Sequence, residues 1–279
     1  MEIIQAILET TLKVFKSDKF DVEDTASLSL FLYPEFLAVF AKDQNQANTG
    51  IHFYPDFEWD KLDKLIISDP LLKNDVPVRV YVHQPGFSLV PGVLFAPENE
   101  RKYLEFVQDL PPQAHFFHTP LDSNNLQIVS FVDEKLKKSL QARFSEISFY
   151  HGACSFLSYL FKERFNLIGQ EILVNIFGRK MYLAAFTDQE LSAFNMFDIP
   201  SDEDFLKYIL IMIKQMKYSA KHVRVTIYGL PQKSSITEDW AKEYFHHVRI
   251  LTPHANQNYS HGFKRIKDLG LFEVSWQYL

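Results

Sequence analysis

Cysteine, glycine and basic runs are what this sequence has least of, and each scarcity removes a class of function. A single cysteine, Cys154, excludes an intrachain disulfide and the four-cysteine zinc patterns, which fits a reducing compartment. The nine glycines spell no G-x-x-x-x-G-K-[S/T], no G-x-G-x-x-G and no G-x-S-x-G, so the chain carries no P-loop, dinucleotide or nucleophile-elbow motif. No Lys/Arg-rich run occurs and the formal net charge is −6, which disfavours a nucleic-acid-binding surface. No apolar run reaches the roughly 18 residues of a spanning helix, because Pro34, Glu35, Arg179 and Lys180 interrupt the best candidates. The opening MEIIQAILETTLKVFKS has Glu2 and Glu9 where a signal peptide carries basic residues. A soluble, cytoplasmic chain without membrane insertion is expected.

What is present is a globular composition, 47% apolar and 23% charged, with room in 279 residues for two ordinary domains. The 26 Phe and 13 Tyr are read as core material rather than as an aromatic ligand pocket. Residues 1–26 are ambiguous: Ile3, Ile4, Ile7 and Leu8 suit a helix, Thr10 to Phe15 an edge strand. From Ser27 the runs SLSLFLY, FLAVFAKD and IHFYP predict a three-strand meander. A short helix with Trp59, Leu62, Leu65 and Ile66 on one face follows, then the strand Val78–Val82. After the Pro-rich Gln84–Pro97, a strand and helix series of the α/β kind runs to Phe165. A second meander begins at Glu171. Ser201 and Asp204 form a capping box for a helix over Phe205–Lys217, and Val223–Ile227 is the next strand.

The same order of parts thus occurs twice. LAVFAKDQ at Leu37 matches LAAFTDQ at Leu183, 146 positions on, and VRVYV at Val78 matches VRVTI at Val223, 145 positions on. The helices align at 146 as well, Trp59 with Phe205 and Leu65 with Ile211. Matches in one order at nearly one offset predict an internal duplication, two halves with a cleft between them.

This plan resembles the actin-like ATPase fold, shared with sugar kinases and Hsp70 chaperones, whose two RNase H-like lobes each open with a meander that cradles nucleotide phosphates. SLVPGVLFAPENERKYLEF, and the second half after it, are similar to a bacterial domain-of-unknown-function family, DUF3822, from about Ser27 to the C-terminus. The stretch IVSFVDEKLKKSLQARFSEISFYHGACSFLSYLF followed by ILVNIFGRKMYLAAF is also similar to segments joining the lobes in pilus-assembly and secretion proteins of that fold. The resemblance implies an α/β protein of two similar lobes, with mixed sheets and flanking helices, at residues 1–132 and 133–279.

It also implies where nucleotide chemistry would be. In ATP-using members the second meander opens with Asp, a Gly two residues on, and Thr or Ser in the turn; here Asn175, Phe177 or Gly178, and no Thr stand there. The first meander has Tyr33-Pro34-Glu35 in its turn, where proline removes a donor. Of the glycine pair that ends a strand under the adenosine, only Gly229 remains. Asn175, Gly178 and Gly229 are therefore the residues that would hold a nucleotide if one binds, and nucleotide binding is disfavoured. No catalytic residue, metal or cofactor is expected. The expected function is a non-catalytic interaction or scaffold module with an unidentified protein partner. The alternative is a divergent nucleotide-binding ATPase or switch, with Asp188 or Glu35 replacing the lost metal ligand. Cys154 after His151 is read as a buried small side chain rather than an activated thiol, His115 and His118 as pointing to opposite faces, and Asp202, Glu203 and Asp204 as first-turn charges of a helix.

Overall fold

The computed structural model describes residues 12–230 and 234–279; Ile3, Ile4, Ile7 and Leu8 lie outside them. The chain divides into two compact units, one running to Cys154 and including Gln257–Arg265, the other comprising Ser155–Asn256 and Ile266–Leu279.

In the first unit, strands β1 (Lys13–Lys16), β2 (Ser27–Leu32), β3 (Leu37–Lys42) and β4 (Asn48–Tyr54) precede helix α1 (Leu62–Ser68) and strand β5 (Val78–Val82). β2, β3 and β4 form the expected antiparallel meander, with β5 parallel to β2. At the N-terminal end, which the sequence leaves open between helix and edge strand, β1 pairs with β4. Next come β6 (Phe87–Pro91), α2 (Glu100–Glu105), β7 (Ala114–Leu121) and β8 (Leu126–Asp133), then α3 (Glu134–Gln141) and β9 (Ile147–His151). β6, β8 and β7 make a separate three-stranded antiparallel sheet, while β9 returns to pair in parallel with β5, giving the order β1-β4-β3-β2-β5-β9. The expected division at 132/133 is corrected by that pairing: α3 and β9 belong to the first unit, and parallel pairing between distant segments leaves no local signature.

One face of this sheet carries Leu28, Leu30, Leu32, Val39, Val78 and Val80 against Leu62 and Leu65 of α1 and Leu136 and Leu140 of α3. Burial of such side chains at roughly 25 cal/mol per Å² is the main force holding helices to sheet. The far end of α1 is fixed by a buried carboxylate. Asp69 Oδ2 accepts from the Tyr54 hydroxyl and sits 2.6 Å from His52 Nδ1, while its Oδ1 takes the Leu71 amide at 2.7 Å.

The second unit follows helix α4 (Ala153–Glu163) with strands β10 (Gln170–Phe177), β11 (Lys180–Thr187) and β12 (Glu190–Asp198). Helix α5 (Asp202–Gln215), strand β13 (Arg224–Tyr228), helix α6 (Glu238–Lys242) and strand β14 (His247–Ile250) complete it. Ser201 caps α5 by accepting the Asp204 amide at 3.2 Å, so the helix starts three residues before the expected Phe205. Asp202, Glu203 and Asp204 fill its first turn. The sheet order is β12-β11-β10-β13-β14, with β13 parallel to β10 and β14 parallel to β13.

Apart from β1, the two central sheets share one strand order and one set of directions. Register locates the equivalent residues. Leu32 pairs with Leu37 and Val82, as Val174 pairs with Leu183 and Ile227, so β3 and β11 correspond at 146 and β5 and β13 at 145, while β2 and β10 correspond at 142. The difference arises because the β10–β11 hairpin runs on past Val174 and closes in two residues, Gly178-Arg179. The expected helix match fails: Leu65 is buried in α1, whereas Ile211 on α5 is exposed.

Candidate functional site

The three residues singled out from the sequence lie at the carboxyl end of β10, the end at which open α/β sheets bind ligands. Asn175 pairs with Tyr228 of the parallel β13, and Gly229 follows at once with φ +77°. A Cβ on Gly229 would fall 2.2 Å from the Ile176 carbonyl and 2.4 Å from Asn175 Oδ1, so only glycine lets the chain leave β13 across β10. Asn175 and Gly229 are thus in contact, while Gly178 is three residues on, roughly 10 Å along the strand. With φ +58°, Gly178 takes the first central position of the two-residue turn, where a II′ hairpin requires glycine. Asn175 is buried and its Oδ1 has no hydrogen-bond partner among the described residues. The alternative metal ligands do not join this group. Asp188 follows Thr187, which pairs with Gln170 at the start of β10, about 16 Å along the strand from Asn175. Glu35 lies in the first unit's β2–β3 turn, its carbonyl taking the Phe57 amide.

Beside Gly229 is a pocket of about 130 Å³ that also touches Thr252, Lys267 and Ser275. That is below the ~300 Å³ at which small-molecule sites begin. Its neighbourhood is filled by the chain itself: Phe272 packs edge-on against Phe156, Tyr159 and Tyr228 with centroids 5.4 to 5.7 Å apart. Burial pushes the Tyr228 hydroxyl well above its ordinary pKa, so it stays protonated.

The equivalent end of the first sheet is packed with rings. Tyr33, at the register position of Asn175, stacks on His83 at 3.7 Å and on Phe36 at 4.1 Å. Its amide donates to the Phe36 carbonyl at 3.0 Å, and its carbonyl accepts Trp59 Nε1 at 2.9 Å. Below it are two fully buried histidines. Burial, and then the neighbouring His151, pull His83 well below the ordinary histidine value; burial pulls His151 down to about 4. His151 Nε2 donates to the Gln84 carbonyl at 2.9 Å and Nδ1 accepts the Ala153 amide at 3.3 Å, the pattern of a neutral ring. A neutral His151 supplies no charge to lower the Cys154 thiol, and Cys154 is itself fully buried. His115 and His118 point to different partners, Lys137 at 3.2 Å and Glu100 at 2.6 Å. Among the described residues no three His, Cys, Asp or Glu side chains converge on a metal-sized site. No helix among them is long and apolar enough to cross a membrane.

The histidine pair is what sequence reading missed. The signal was present, since His83 directly follows β5 and His151 ends β9, but only their pairing with neighbouring strands brings them together.

A family model described as a protein of unknown function, DUF3822, matches residues 19–248. No curated protein matches the sequence. Among solved structures, a Bacteroides thetaiotaomicron VPI-5482 protein described as having an actin-like ATPase fold and unknown function superposes with a TM-score of 0.74 at 15% identity. The match covers 83% of this chain and 93% of that one. A PilM–PilN type IV pilus biogenesis complex gives a TM-score of 0.50 at 11% identity, covering 82% of this chain and 89% of the other. The fold is actin-like, in a mixed α/β architecture.

Proposed function

The chain belongs to the DUF3822 family of proteins of unknown function, and from that premise we propose that it is a non-catalytic protein-interaction or scaffold module, an actin-like frame with a degenerate nucleotide site. The observation that carries this reading is the filled hairpin of the first unit. A phosphate cradle needs backbone N–H groups open to the ligand. Here the Tyr33 amide is bound to Phe36, and its buried ring lies against Phe36 and His83. At the matching point of the second unit, Asn175 stands where a carboxylate would organise a metal, and a neutral amide lacks the charge for that role. The interaction half of the reading draws on the fold-mate PilM, which occurs in a complex with PilN.

One observation favours a second reading, a divergent nucleotide-binding switch. Asn175 Oδ1 is a buried acceptor with no partner among the described residues, placed beside Gly229. An acceptor of that kind suits a ligand hydroxyl or amine.

A thermal melt with millimolar ATP and magnesium separates the two. A ligand at about 100 times its Kd adds roughly 2.7 kcal/mol, worth about 5 to 11 °C for a chain of this size. No shift and no ATP hydrolysis are expected. A shift of several degrees that Asn175→Ala removes would replace the scaffold reading with the switch. For the interaction half, the full chain isolated from its native cells is expected to bring down a partner in stoichiometric amount, and repeated recovery of the chain alone would count against it.

A further inference from the structure

The end of the first sheet opposite the filled hairpin carries a larger and differently charged hollow. It measures about 350 Å³ and lies where β2, β5 and β9 begin and β3 ends. Its cations are Lys42 and Arg79; Ser27, Ser29, Ser148 and Tyr150 bring hydroxyls, and Gln44 and Gln46 bring amides. Glu146 is the one carboxylate of the lining, and among the described residues it forms no ion pair with either cation.

Lys42 is the unusual member. It is only 4% exposed, and its ammonium has no hydrogen-bond or ion-pair partner among the described residues. Lysine is almost never fully buried unless paired, because desolvating an ammonium is expensive. A register shift between β3 and β4 at Ala41/Lys42 marks the point where the side chain enters the hollow, and such bulges often re-aim functional side chains. Burial, and then the charge of Arg79, draw the Lys42 ammonium down to about 8, so it is still protonated at pH 7. Two unneutralised cations therefore share one pocket.

The second sheet supplies an internal control. Arg79 pairs across β2 with Ser29, and Arg224, its register equivalent, pairs across β10 with Glu171. In the second unit the arginine is neutralised, since Arg224 Nη2 donates to the buried Glu171 Oε1. In the first unit the same position offers a serine hydroxyl. The first sheet thus has a serine where the second has a carboxylate, and Lys42 lines the same hollow.

We propose that this hollow is an anion site for a phosphate-bearing small molecule, with Lys42 and Arg79 on the phosphate and the serine hydroxyls and glutamine amides on its remaining oxygens. Its size falls in the range of small-molecule sites, unlike that of the pocket beside Gly229. Arginine offers a fork of donors to a phosphate, and lysine a point charge.

The test titrates the full chain at low salt and pH 7 with inorganic phosphate and, separately, with glycerol 3-phosphate, against sodium chloride of equal ionic strength. Calorimetry and thermal melting read the result. Saturable binding and a rise in melting midpoint are expected, tighter for whichever source fits the hollow. Lys42→Met and Arg79→Gln should each weaken it by about tenfold or more. Lys42→Met removes a buried charge and keeps the volume; Arg79 is exposed, so Arg79→Gln serves if the first variant folds poorly. A wild-type response no larger than that to chloride, or one unchanged in the folded variants, overturns the site.

Discussion

Asn175 and Gly229 meet at the end of two parallel strands, with Asn175 Oδ1 lying 2.4 Å from where a Gly229 Cβ would be. Gly229→Ala would also press on the Ile176 carbonyl from a backbone at φ +77°, a conformation that an L side chain resists. The expected loss is about 2 to 4 kcal/mol by urea unfolding. Asn175→Ala removes an acceptor that gains no hydrogen bond in the fold, and about 1 kcal/mol or less is expected. Wild-type stability in the glycine variant would mean that the strands part further than described.

Asp69→Asn is expected to be more damaging than any change at the candidate nucleotide residues other than Gly229. Burial alone would raise the Asp69 carboxyl, but hydrogen bonds from His52, Tyr54 and the Leu71 amide outweigh it and hold the group below its ordinary value. A folded pKa below the unfolded one gives stability that is present above about pH 4 and lost as pH falls through the folded value. The amide cannot accept from the same donors, so a cost of about 3 kcal/mol is expected, with an acid limb of stability shallower than in wild type. Equal acid limbs in the two proteins would show that Asp69 is not the group responsible.

Elements with a local signature were legible from sequence. The meander runs, the Ser201 cap and the Val78–Val82 strand all come from periodicity or from contacts three residues apart, and the chain fixes these locally. Strand β14 was not foreseen, because of its four residues only Val248 is buried and its pairing with β13 is non-local. The domain division failed for the same reason at β9. At the site, Asn175 and Gly229 meet through the parallel pairing of β10 with β13, and neither that contact nor their environment was legible. That Phe272, near the C-terminus, fills the space beside Tyr228 is a contact between residues 44 positions apart. Nor does the sequence say that Lys42, in a strand that otherwise reads LAVFA, is buried without a partner.

His83 and His151 should dominate the stability profile between neutral pH and pH 4. Both are fully buried and held below the ordinary histidine value, His151 at about 4. In the unfolded chain they protonate near 6.5. Unfolding at pH 5 therefore takes up about two protons, and stability falls as pH drops from about 6.5 toward 4, by up to about 1.4 kcal/mol per pH unit for each ring. Urea midpoints across that range measure the slope. His151→Gln should flatten it by about one proton, and an unchanged slope would place the titration on other groups.

Ser29→Glu makes the contrast between the two sheets into an experiment. Glu171 is buried and bound to Arg224, which also donates to the Ile168 carbonyl at 2.8 Å. Because Arg224 is partly exposed, its loss of partner in Glu171→Gln is softened by water, and about 1 to 2 kcal/mol is expected. Arg79→Gln should cost under about 0.5 kcal/mol, because no carboxylate leans on that arginine. Ser29→Glu installs the missing acid between Arg79 and Lys42. The fold should survive, since the new charge enters a hollow of about 350 Å³ that already holds two cations. The response to phosphate should disappear, because the carboxylate occupies the donors that the anion needs. A folded Ser29→Glu protein that still binds phosphate as the wild type does would place those donors elsewhere.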